Sequence, residues 1–160
     1  MLFDKEFEFH GKHAEYVNYL KKEVGVFKTN RELYTICAIL GFINSSKGKK
    51  ETVGTTTSIL PSELAQKRAA LTYIYRLIML LDEHEGFTVK DYQDRTFRDD
   101  AETDEHPEKL AQNMALFNSY VLGGVEIMYD KFKDCKNIKD TVNTLNDFLM
   151  EFLGDNGLND

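Results

Sequence analysis

The sequence predicts an all-α fold, a single-domain bundle of about five or six helices spanning residues 1–160 and carrying one long basic loop. Three observations predict it. Apolar residues recur at spacings of three and four along most of the chain. Two prolines and ten glycines are too few for a turn-rich sandwich or barrel. No strand-like and helix-like patterns alternate as βαβ units would.

Residues 13–24 place Tyr16, Val17, Leu20 and Val24 on one stripe with Lys21 and Lys22 outward, and Gly25 ends the helix. In TNRE, Thr29 caps the next helix and Glu32, three residues on, reaches back to complete a capping box. That helix carries Leu33, Ile36, Cys37 and Leu40 on one face. Tyr34, Ile39, Phe42 and Ile43 surround the rest, so it is expected to be central. Residues 44–60 lose the helical period and read as a surface loop free to move, with the Thr run a candidate short strand. Pro61 suits a first helical turn, with Glu63 behind it, and the helix should continue to about Glu83 through Leu64, Leu71, Ile74, Tyr75, Ile78 and Leu81.

Thr88 and Asp91 give a second capping signal, opening an amphipathic helix over TVKDYQDRTFRDDA, and AETDEHPEK follows as an acidic turn. Pro107 starts a long helix with Leu110, Met114, Phe117, Val121, Met128 and Phe132 near one face. Gly123 and Gly124 interrupt it. Glycine inside a helix costs about 1 kcal/mol against alanine, so the pair predicts a close helix crossing there. The last helix repeats Ile138, Val142, Leu145, Leu149 and Phe152, and residues 154–160 should fray.

Composition narrows the function classes. A hydrophobic fraction of 42% argues against disorder, and a net charge of −7 argues against non-specific duplex binding over the whole surface. Cys37 and Cys135, both inside apolar helical patterns, read as reduced core thiols. MLFDKEFEFHGKH has no basic start followed by an apolar run, so no signal peptide is expected. The best apolar window, LTYIYRLIMLL, is too short to span a bilayer and holds Arg76. A cytoplasmic protein is the expectation.

No motif reads as catalytic. LIMLLDEHEG has the flavour of a magnesium site, but SSKGKKET lacks the spacing of a phosphate cradle and follows no strand. His10 and His13, three apart, suit one helix face, while His84 and His106 sit near carboxylates. Paired Glu-x-x-His motifs are missing, the Glu102 to His106 step being four residues, so no metal or other cofactor is expected. Cys37 is too apolar in setting for a nucleophile, and Cys135, after Lys131 and Lys133, is only slightly better placed. The chain is therefore expected not to be an enzyme. Lys47, Lys49 and Lys50 are the candidate contacts for phosphate or a partner. Asp99, Asp100, Glu102, Asp104 and Glu105 form a candidate acidic partner face.

Two segments resemble a family. VFKTNRELYTICAILGF followed by a basic stretch, and FNSYVLGGVEIMYDKF, are similar to the small helical proteins associated with bacterial DNA phosphorothioation (Dnd) and phage-defence systems. The matching positions are Leu33, Ala38, Gly41, Phe42, Tyr120, Gly123, Gly124 and Ile127, with Val121-Leu122 in place of smaller polar residues. The resemblance implies a non-enzymatic accessory subunit of a DNA-modification or anti-phage complex. Its partners would be larger protein subunits, with direct DNA contact and homo-oligomerisation left open and no membrane involved. The alternative from a different class is an acidic phage- or plasmid-encoded inhibitor that occupies a basic nucleic-acid-binding site.

Overall fold

The computed structural model describes residues 1–99 and 106–155. Among them lie seven α-helices: α1 (Lys12–Lys22), α2 (Asn30–Ile43), α3 (Pro61–Ala65), α4 (Arg68–Leu81), α5 (Val89–Gln93), α6 (Pro107–Phe132) and α7 (Ile138–Asp155). A π-helical turn, Asp94–Arg98, follows α5 directly. Two short strands, β1 (Phe7–His10) and β2 (Thr56–Ile59), pair antiparallel, with Phe7 opposite Ile59 and His10 opposite Thr56. The fold is all-α with this small sheet attached.

Local chemistry sets most boundaries. The Thr29 hydroxyl accepts from the Glu32 amide while the Glu32 carboxylate accepts from the Thr29 amide, closing the box that starts α2. Thr88 and Asp91 do the same for α5. Pro61 and Pro107 occupy first turns, where a missing amide hydrogen costs nothing.

Three elements differ from the sequence expectation. FEFH forms β1, whose partner lies 49 residues away, a distance over which local patterning carries no signal. The helix expected from Pro61 to about Glu83 breaks at Gln66–Lys67 into α3 and α4. The helix expected after Thr88 lasts five residues and then widens into the π-turn, burying Arg95 and Thr96. In contrast, α6 runs unbroken through Gly123 and Gly124.

The core centres on aromatic rings. Phe3 lies edge-on to Phe117 at 5.6 Å and to Tyr34 at 6.5 Å, and Tyr34, Tyr75, Phe9 and Phe117 are fully buried. Each such side chain contributes roughly 1.5–3 kcal/mol by leaving water. α6 is the axis, packed against α1, α2, α4 and α7. Its contact with α2 is the closest. A Cβ on Gly41 would collide with the Tyr120 carbonyl, and one on Gly124 with the Cys37 carbonyl. Residues 37 and 41 thus face 120 and 124 reciprocally, backbone against backbone.

Candidate functional site

The segment after α2 is a strap laid across α6. The Ser46 amide donates to the Gly41 carbonyl and the Gly48 amide to the Ser119 carbonyl, both at 2.8 Å. Gly123 leaves room for the Ser46 carbonyl, and a Cβ on Gly48 would come 2.6 Å from the Leu122 Cβ. The expected mobile loop is therefore pinned over its first half, by an element that follows it by some seventy residues in the chain.

Pinning sends the three lysines to different places. Lys47 reaches Asp82, Nζ to Oδ1 3.3 Å, and lies over the Tyr120 ring at 4.8 Å from its centroid. Lys49 is exposed, and Lys50 lines a cleft described below. They are neighbours in sequence without forming a single basic patch.

Asp82 ends α4 inside a polar node that sequence reasoning missed. It is 6% exposed and accepts from the Tyr120 hydroxyl and from Arg95, whose guanidinium also donates to the Asp82 and Met79 carbonyls. Burial pushes the Asp82 carboxyl up. The Tyr120 hydroxyl, Lys47 and Arg95 outweigh it and hold the group below the usual carboxylate range. Burial and the Asp82 charge push the Tyr120 hydroxyl up. The node ties strap, α4, π-turn and α6 together.

A cleft of about 630 Å³ opens between β1 and α6. Glu6, Phe7, Glu8 and His10 line one side; Ala111, Met114, Ala115, Asn118, Ser119 and Leu122 line the other; Gly48, Lys50 and Glu51 close one end. His13 is in its wall. The His13 Nε2 lies 2.8 Å from Glu126 Oε1, which also takes Lys12 Nζ at 3.0 Å. Burial pushes the His13 ring down, against the upward pull of Glu126. The ring is therefore neutral near pH 7, donates through Nε2 to the carboxylate, and leaves buried Nδ1 without a partner. His10 and His13 do not share a helix face as expected. His10 ends β1, and Gly11, at φ +56°, turns the chain into α1 between them.

A third surface is apolar. α2 is the hub on one side only: Ile36, Ile39 and Ile43 on its far side are 47%, 38% and 43% exposed. The adjoining α4 leaves Tyr73, Leu77, Leu80 and Leu81 between 38% and 66% exposed.

The acidic face fares differently. Asp99 is buried, bonded to the Arg98 Nε at 2.8 Å and 3.9 Å from Lys109 Nζ, so it is turned inward by its cations rather than offered to a partner. Asp100, Glu102, Asp104 and Glu105 lie outside the described residues. Both cysteines are free thiols. Burial pushes the Cys37 thiol up, and the Cys135 Sγ donates to Thr144 at 3.4 Å. Among the described residues no three His, Cys, Asp or Glu side chains converge to hold a metal ion, and no helix is long and apolar enough to cross a membrane. Comparison with known protein families, with curated proteins and with solved structures finds no match.

Proposed function

We propose that the chain is a non-enzymatic interaction subunit that docks on a larger protein through the outer faces of α2 and α4. The supporting observation is the exposed apolar set Ile36, Ile39, Ile43, Tyr73, Leu77, Leu80 and Leu81 on two helices that pack together. Large apolar side chains left exposed along a helix face are the composition of a protein interface, not of a solvated face. Lys49, exposed on the strap, is the lysine best placed to add a phosphate or carboxylate contact, since Lys47 is held by Asp82.

The resemblance to Dnd-associated proteins supports seeking the partner among the subunits of a bacterial DNA-modification or anti-phage complex. Gly41, Gly123 and Gly124, three of the resembling positions, lie in the α2–α6 crossing and beneath the strap, so the likeness supports a shared scaffold more than a shared contact.

The test is co-purification from the host of origin, comparing wild type with Ile36→Glu and Leu77→Glu. Both side chains are exposed, so the variants should melt within a few degrees of wild type. Wild type is expected to carry a stoichiometric larger subunit that the variants lose. A wild-type chain that elutes alone, or variants that keep the subunit, would overturn the reading.

A further inference from the structure

The small sheet has two edges, and they are treated differently. The Gly11 amide donates to the Thr55 carbonyl at 2.8 Å, continuing the β1–β2 register by one step. In an antiparallel ladder, bonded pairs alternate, so Gly11, Phe9 and Phe7 turn their backbone toward β2. Glu8 and His10 on β1, and Thr56 and Ser58 on β2, then turn theirs away from the ladder. On the β2 side that edge is covered: the Asn30 side chain donates to the Ser58 carbonyl at 2.9 Å and to the Thr57 hydroxyl at 3.1 Å. On the β1 side no described group bonds to the backbone of Glu8 or His10 beyond the ladder. An uncovered strand edge is a template for another strand.

Glu8 and His10, the residues of that edge, line the 630 Å³ cleft, which has α6 as its far wall. The walls are of similar length: the four steps from Glu6 to His10 span about 13 Å, and the eleven steps from Ala111 to Leu122 span about 16 Å of helix. Ala111, Ala115 and Ser119 succeed one another at four-residue spacing along the α6 side, and small side chains there leave room for a backbone.

We propose that this cleft binds an extended, basic segment of a partner protein as a third strand, hydrogen-bonded to Glu8 and His10 of β1 and backed by α6. Strand addition takes its affinity from main-chain bonds and its selectivity from the side chains lining the groove. Three features fix the chemistry of the segment. Glu6, Glu8 and Glu51 outnumber Lys50 in the lining, favouring Lys or Arg. His13 lines the same wall, and its buried Nδ1 is an acceptor without a partner. The cleft also shares Glu6, Phe7, Ala111, Met114 and Asn118 with a second one of about 420 Å³, lined further on by Leu2, Phe3, Leu64 and Leu110. The segment is thus basic along β1 and apolar where the cleft meets Leu2, Phe3, Leu64 and Leu110. Residues 100–105 (DAETDE) and 156–160 (NGLND) of this chain carry the wrong charge to be its occupant.

The inference rests on the interaction reading above while using another surface. Random heptapeptides displayed on phage are selected against the full chain, and enriched sequences are synthesised for calorimetric titration. Selection should enrich Lys and Arg beside β-branched or aromatic residues, and binding should slow amide exchange at Glu8 and His10. Methylating alternate peptide amides, or filling the groove with Ala115→Trp at an exposed position, should each weaken binding at least tenfold with the melting temperature unchanged. Absence of enrichment, enrichment of acidic or proline-rich sequences, or equal binding to wild type and Ala115→Trp would overturn the proposal. Peptide affinity should be the same in Ile36→Glu. Loss of the groove result with the native subunit still retained would sink only the groove; the reverse outcome would sink only the α2–α4 surface.

Discussion

α6 is gripped differently on its two sides. Toward α2, Gly41 and Gly124 bring backbones together, with Tyr34, Cys37 and Val121 fully buried around them. Toward α7, only Leu145, Phe148 and Phe152 reach the core, as half-buried side chains. Ile138, Val142 and Leu149, expected on the same stripe, are 83%, 58% and 48% exposed. The Lys131–Glu151 ion pair at 2.5 Å and the Cys135–Thr144 contact add surface bonds of small worth. One interface leaves no room for a Cβ where its glycines cross, while the other keeps half of its apolar stripe in solvent. The first defines the fold; the second only adds to it.

The widest separation between the two is expected from Gly124→Ala. The new methyl group meets a carbonyl of α2 that cannot rotate away, so unfolding in urea should show a loss of about 3 kcal/mol, the upper end of overpacking costs. Phe148→Ala on α7 should cost about 1.5 kcal/mol, less than a fully buried Phe, and amide exchange should speed up in α7 alone. Equal losses for these two variants would erase the contrast. Gly123→Ala should cost about 1 kcal/mol, because the strap it strikes can lift where α2 cannot; its diagnostic is weakened protection of the Gly48 amide.

The smallest effect should come from acid. His13 is held below its ordinary value by burial, facing Glu126 on α6, Glu51 on the strap and its neighbour Lys12. Above the unfolded-state value near 6.5 both states are neutral and the group contributes nothing. As pH falls below that value the unfolded chain takes up the proton first, so stability declines toward pH 5. His13→Gln should flatten that slope in melting temperature against pH; an unchanged slope would assign it elsewhere.

Signals written within one turn of helix were legible in the sequence. The capping pairs Thr29–Glu32 and Thr88–Asp91, and the first-turn prolines 61 and 107, mark helix starts where the structure has them. The glycine pair pointed to a tight spot without saying that Gly124 serves α2 and Gly123 the strap. What depends on distant residues was not legible. β1 needs β2, the strap needs Ser119 and Leu122, and Lys47 needs Asp82 and Tyr120. A usable clue was present in YVLGGVEIMY, where Glu126 is a lone charge in an apolar run and so asks for a buried partner, which is His13. Arg95, beside buried Thr96, carried a similar hint.

Because α1, α2, the strap and α4 all lean on α6, these elements leave a ribosome before the helix that covers their inner faces. Nascent chains stopped before Pro107 should stay protease-sensitive and engage chaperones, and protection should arrive in one step once the stretch near Val125 clears the exit tunnel. A protein assembled around its late central rod is born all at once.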